Sequence, residues 1–302
     1  MIADDVIRFP TLFANLYLVG TAERWVLVDT GLPGFSGSIR RAAAQRLGAE
    51  SRPEAIILTH GHWDHAGSAL DLADEWNAPL FAHSLELPYL TGKSNYAPKD
   101  PTVGGMIAAM GRLFPSHGYD FRSRVGALPE GGAVPGLPDW RWIHTPGHTH
   151  GHVALFRERD GVLLAGDALT TVDQDHVYTI VTRRPQFYRP PAPFTVDWDA
   201  AAESIHTMAR LSPRVVGAGH GWPIKGPRTA EQLQAFARGF RRPVRGRYVT
   251  WPVQADETGI VALPPPVPDR ALQRAAVWTG AGVLTGWFIA HERRRRAKRR
   301  AE

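Results

Sequence analysis

Thr59-His60-Gly61-His62-Trp63-Asp64-His65 is the stretch from which the rest of the chain can be read. It follows directly on Ala-Ile-Ile-Leu-Thr at 55–59, a short apolar, partly β-branched run that reads as a buried strand. Three imidazoles and a carboxylate therefore hang from a strand end, where α/β proteins place ligand-binding groups on a rigid support. His60 and His62, two apart in extended backbone, point to one side and toward one cation. Asp64 and His65 fall where the loop turns into a helix expected over 66–76, so they aim at a different point and imply a second metal. Imidazole with carboxylate suits zinc, with iron or manganese as competitors once oxygen ligands are added.

Two metals need more ligands than this stretch holds, and the chain supplies them. A strand-like run at 140–144 leads into Thr145-Pro146-Gly147-His148; an apolar run at 161–165 ends in Gly166-Asp167; residues 215–219 end in His220. The grammar repeats: apolar run, small residues, ligand-type side chain. Glycines beside the ligands let the backbone turn sharply and approach a metal closely.

On the motifs at His60, His62, Asp64 and His65, then His148, Asp167 and His220, with Val28-Asp29-Thr30-Gly31 upstream, the chain resembles the metallo-β-lactamase superfamily over about residues 10–226. The resemblance implies that His60, His62 and His148 hold one metal and that Asp64, His65 and His220 hold the other. Asp167 would bridge the two, and Asp29 would lie beneath as a hydrogen-bond acceptor that orients a ligand. It also implies an αββα sandwich, two mixed sheets face to face with helices outside. Physical reasoning alone gives an α/β protein with ligands at strand ends.

Composition agrees. Hydrophobic content of 43% and charged content of 21% are those of an ordinary globular protein. The chain has no cysteine, which excludes disulfides and thiolate ligands. It also sets the chain apart from the true β-lactamases that carry a thiolate at the second metal. An aspartate at position 167 resembles the glyoxalase II, lactonase and RNase Z side of the superfamily. The N-terminus lacks a basic region followed by an apolar stretch, so no signal peptide is read and a cytoplasmic location is expected.

The catalytic domain is expected over 1–226, with strands at 15–19 and 25–29, a helix at 36–47 and a short strand at 80–82 followed by His83 and Glu86. Those two are read either as supports for the ligands or as a surface pair. Prolines interrupt 88–135, leaving a helix at 106–113, and this insertion is read as a lid that partly lines the substrate pocket. Asp197 is the expected N-cap of a helix over 198–211. His152 is expected to support the ligands, His150 to line the cleft, and His176 and Tyr178 are candidates to stabilise charge on substrate.

Two metals sharing one water would lower its pKa and make hydroxide available as nucleophile, while also polarising the scissile carbonyl or phosphoryl oxygen. Asp167 would take part as the bridge, and Asp64 by orienting the water or passing a proton to the leaving group. The expected activity is hydrolysis of a small-molecule ester, thioester, lactone or relative. The competing readings are a mononuclear iron oxygenase like the sulfur dioxygenases, a phosphodiesterase like RNase Z, and a membrane-tethered binding protein with a degraded site. No helical domain like that of glyoxalase II is expected after His220. Net charge is +6, but residues 292–302 hold seven basic and two acidic groups, so +5 sits in the tail and +1 elsewhere. Long nucleic acid is therefore a disfavoured partner.

A C-terminal extension and Pro-rich linker are expected over 227–268, with a helix at 228–240 and a basic patch at Arg241, Arg242, Arg245 and Arg247. Residues 269–302 follow as an apolar segment with a polybasic tail. Positions 275–290 are uncharged and mostly apolar, with Trp278 and Trp287 near the ends. That run is short for a membrane span, but its aromatics and basic flank are interface features, so 275–300 is read as a surface-lying membrane anchor. A helix packed on the body and a nucleic-acid-binding tail are the alternatives.

Overall fold

The computed structural model describes residues 1–182 and 184–266. Two six-stranded mixed sheets form its frame. The first runs in chain order through β1 (Val6–Thr11), β2 (Ala14–Gly20), β3 (Trp25–Val28), β4 (Ala55–Ile57), β5 (Leu80–Ala82) and β6 (Val125–Ala127). The second runs back through β12 (Ile224–Lys225), β11 (Val215–Gly217), β10 (Val162–Leu164), β9 (Val153–Arg157), β8 (Leu137–His144) and β7 (Ala133–Val134).

Period-two alternation sorts these strands into layers. Val26 and Val28 of β3 and Ala55 and Ile57 of β4 face inward, in one core with Val153, Leu155, Val162 and Leu164 of the opposite sheet. Their neighbours Trp25, Leu27 and Ile56 face outward onto α1 (Ser36–Leu47) and onto Leu72, Ala73 and Trp76. On the far side Ala154, Phe156 and Leu163 pack against Ile205 and Met208 of one helix and Leu233 and Ala237 of another. Strands buried on both faces explain the continuous apolar runs in the sequence. The result is the four-layer αββα arrangement that the resemblance implied.

The helix expected over 66–76 is two helices, α2 (Trp63–Ala66) and α3 (Ala69–Trp76). The break has a tertiary cause. The His65 carbonyl accepts from the N–H and the hydroxyl of Thr30, at 2.7 and 2.8 Å, and so cannot carry the helix onward. Ser68 donates to the Leu32 carbonyl at 2.7 Å instead.

In the insertion, α4 (Leu87–Leu90) and α5 (Met106–Met110) are short, and a 3₁₀ turn continues α5 to Leu113. Tyr89 and Phe121 are buried. Residues 171–197 carry α6 (Val177–Thr182) before Asp197, whose side chain accepts from the N–H groups of Asp199 and Ala200 and starts α7 (Trp198–Arg210) as expected. Residues 227–265 join the same compact unit, Met1–Pro265. α8 (Thr229–Gly239) buries Leu233 and Ala237 with Met208 of α7. α9 (Arg247–Thr250) buries Tyr248 beside Val196, and a hairpin of β13 (Gln254–Asp256) and β14 (Gly259–Ala262) follows. No helix among the described residues is long and apolar enough to cross a membrane. The segment 275–290 and the basic tail lie outside the described residues.

Candidate metal centre

All seven residues picked out as ligands converge at one edge between the sheets. His60 and His62 arrive from the loop after β4, with Asp64 and His65 on α2; His148, Asp167 and His220 arrive from loops of the second sheet. Three overlapping groups have ligand atoms within 4.8 Å of one another: His60, His62 and His148; His60, His65 and Asp167; Asp64, His65 and His220. Asp167 is the junction. Its Oδ2 lies 3.1 Å from Nε2 of His220, 3.5 Å from Nε2 of His65 and 3.6 Å from Nε2 of His148. His220 Nε2 is in turn 3.5 Å from Asp64 Oδ2.

The supporting bonds fix which imidazole nitrogen faces the centre. His65 Nδ1 donates to Asp29 Oδ2 at 2.9 Å and His220 Nδ1 to the Phe13 carbonyl at 3.0 Å, so both present Nε2 inward. Asp29 also accepts from the Thr59 N–H and hydroxyl, at 2.8 and 2.9 Å. With its one proton committed to Asp29, that hydroxyl accepts from His60 Nδ1 at 3.1 Å. One carboxylate thus orients two imidazoles, one directly and one through a threonine. Asp29 holds φ at +60° to do so, at a cost on the order of 1 kcal/mol.

His152 supports the centre as expected: its Nε2 accepts from the Asp167 N–H at 2.9 Å and its Nδ1 donates to Thr145 at 2.8 Å. Glu86, read from sequence as either a support or a surface residue, is fully buried. It accepts from the Gly61 N–H at 2.9 Å, the Gly151 N–H at 3.1 Å and the hydroxyls of Thr149 and Tyr96 at 2.5 Å. His83 lies apart, its ring stacked on His144 at 4.3 Å. His150 does not line the cleft; its Nε2 donates to the Val253 carbonyl at 2.9 Å and ties the C-terminal residues to the body. His176 pairs with Asp173 and Tyr178 is 75% exposed, and neither reaches the centre.

The residues fit metal ions. Nε2 of His60, Nε2 of His65 and Oδ1 of Asp167 are buried without a hydrogen-bond partner in the protein, which is costly for polar atoms unless something else binds them. Burial pushes His60 and His62 well below the ordinary histidine range and His148 down to about 4, which keeps these rings neutral, the ligating form. Burial would also raise Asp167, but His220 and His65 outweigh it and hold the carboxylate ionised.

A cavity of about 530 Å³ opens onto the centre. Its floor includes His62, Asp64, His148, Asp167 and His220. Met106, Ile107, Met110 and Phe114 of the insertion line it, as the lid reading anticipated, together with residues the sequence did not flag: Leu12 and Phe13 at the β1–β2 turn, Phe194 and Trp222.

A family model described as the metallo-beta-lactamase superfamily matches residues 10–220. The chain is 43% identical over 228 residues to the probable metallo-hydrolase YflN of Bacillus subtilis, covering 74% of this chain and 86% of that protein. It is 29% identical over 162 residues to the atrochrysone carboxyl ACP thioesterase of Aspergillus fumigatus, 53% of this chain and 30% of that one. Among solved structures, the archaeal superfamily protein ST1585 from Sulfolobus tokodaii superposes with a TM-score of 0.54 at 20% identity, covering 78% of this chain and 86% of that one, and shares the fold.

Proposed function

The chain belongs to the metallo-beta-lactamase superfamily, and on that premise we propose that it is a binuclear metal-dependent hydrolase of an ester, thioester or lactone. The observation that carries this reading is the placement of Asp167 Oδ2 within 3.6 Å of three imidazole nitrogens drawn from both ligand groups. His60, His62 and His148 would hold one ion and Asp64, His65 and His220 the other, with Asp167 shared between them. Zinc suits the donors best, with manganese or iron as alternatives. When bound, such ions polarise a carbonyl and make water acidic enough to attack it near neutral pH.

The chain's own groups do the rest. Asp29, Thr59 and Glu86 hold the imidazoles and their loops in place, so little reorganisation is needed on reaction. Asp64, whose side chain is 13% exposed on the cavity floor, is placed to orient the attacking water and to deliver a proton to the leaving atom. The thioesterase relative supports acyl chemistry.

Metal content of the purified chain, measured beside an Asp167→Ala variant, tests the reading. About two ions per chain, reduced in the variant, with hydrolysis of esters or thioesters lost in parallel, is the expected result. One iron per chain with oxygen consumption would replace it with the oxygenase reading.

A further inference from the structure

We propose that the cavity above the metal centre is an acyl pocket, selecting esters or thioesters whose acyl group is large, uncharged and apolar. This rests on the hydrolase reading above. The contrast between floor and wall carries it. The floor presents the imidazoles and carboxylates, whereas the wall is mostly apolar, with Phe13, Trp63, Ile107, Met110, Phe114 and Phe194 among its residues. Phe114 stacks on Trp63 at 5.7 Å, and Phe194 lies 5.6 Å from the His62 ring, so the apolar surface begins at the ligands themselves.

A sugar, a nucleotide or a charged peptide would leave most of its hydroxyls or charges unpaired against this wall, where Arg8 and Gln174 are the polar side chains among the described lining residues outside the floor, and such groups are costly to desolvate. Among the described lining residues Arg8 is the only lysine or arginine. It donates to Asn15 at 2.7 Å and stacks on Trp222. An alkyl or aromatic acyl group instead gains affinity with every carbon buried, roughly fourfold for each methylene. A volume of about 530 Å³ falls within the range usual for small-molecule sites and admits a group much larger than acetyl.

The test uses the full-length, metal-loaded protein with p-nitrophenyl acetate, butyrate and octanoate. The expected kcat/KM rises roughly tenfold or more from acetate to octanoate. Met110 is 43% exposed at the cavity edge, where a charge can reach solvent, and Met110→Asp should keep the fold and lower the octanoate-to-acetate ratio at least fivefold. Leu113→Asp, at a position 78% exposed and outside the cavity, should leave that ratio unchanged. Equal turnover of all three esters, or equal effects of the two variants, would overturn the proposal.

A second measurement separates this proposal from the hydrolase reading: tryptophan fluorescence on titration with decanoate or acetate, which share a carboxylate and differ only in chain. If no ester is hydrolysed, tighter binding of decanoate that Met110→Asp weakens upholds the apolar pocket and removes only the hydrolase reading. Equal binding of the two anions removes the pocket as well.

Discussion

Glu86 and Gly61 sit 25 residues apart, yet the carboxylate of the first accepts the backbone N–H of the second at 2.9 Å, between His60 and His62. The same carboxylate binds Thr149 and Gly151 on the loop of His148 and the hydroxyl of Tyr96. It clamps two ligand-bearing loops, one from each sheet. Glu86→Gln keeps the shape but offers one acceptor oxygen to four donors and turns an N–H group toward the rest. A loss on the order of 2–4 kcal/mol in stability is expected, read by denaturant unfolding. Metal affinity should fall roughly 10–100-fold, read by competition with a chelator.

Gly219 lies against the junction of the centre. A β-carbon there would run into Asp167 Oδ1 and into His65 Cε1 at 2.5 Å. Gly219→Ala is therefore expected to displace Asp167 and to lower metal affinity roughly 10–100-fold. The overpacking itself should cost only about 1–3 kcal/mol. Metal titration beside thermal melting of the chelated protein separates the two effects.

Arg157 is a structural charge remote from the chemistry. Its side chain is 2% exposed, donates to both oxygens of Asp5 at 2.6 and 2.7 Å and to Asp160, and covers the ring of Trp140. Asp5→Ala leaves that guanidinium half-paired and should cost about 2–3 kcal/mol with little change in kcat. The hydrogen bond from Arg157, against the opposing effect of burial, holds Asp5 below its usual range. Its contribution is present above the unfolded-state pKa of 3.8 and is lost as pH falls through the lower folded value. Acid unfolding of the variant should therefore lack that part of the transition.

Burial, then the facing His144, pushes His83 down to about 4 from 6.5. Between those values the unfolded chain binds the proton and the folded one does not. Stability is full above about pH 6.5 and declines toward pH 4. His83→Asn keeps a side chain able to accept from the Leu85 N–H. The melting temperature of the variant should fall less than that of the parent between pH 7 and pH 4.5.

The ligands were legible because each closes an apolar run with small residues and a metal-binding side chain, a local pattern that needs no tertiary information. The layers were legible only through the resemblance, since strands as short as Ala55–Ile57, buried on both faces, show no alternation to read. Glu86 was ambiguous because one glutamate after a short strand looks the same whether its partners are water or the Gly61 N–H. The break after His65 and the wall residues Phe13, Phe194 and Trp222 were invisible for a related reason. Each depends on a contact with a distant segment, and nothing in their immediate neighbours announces it.

The four ligands at 60–65 hang from the first sheet, whereas His148, Asp167 and His220 hang from the second. An ion shared by both sets would also be a fastener between the halves of the sandwich, and separating the sheets would release it. By mass action, heat resistance would then rise with the free metal concentration, by about 1.4 kcal/mol for each tenfold excess over the dissociation constant. Metal starvation would so weaken the fold along with the chemistry, and a melting curve recorded against buffered zinc would double as a binding isotherm.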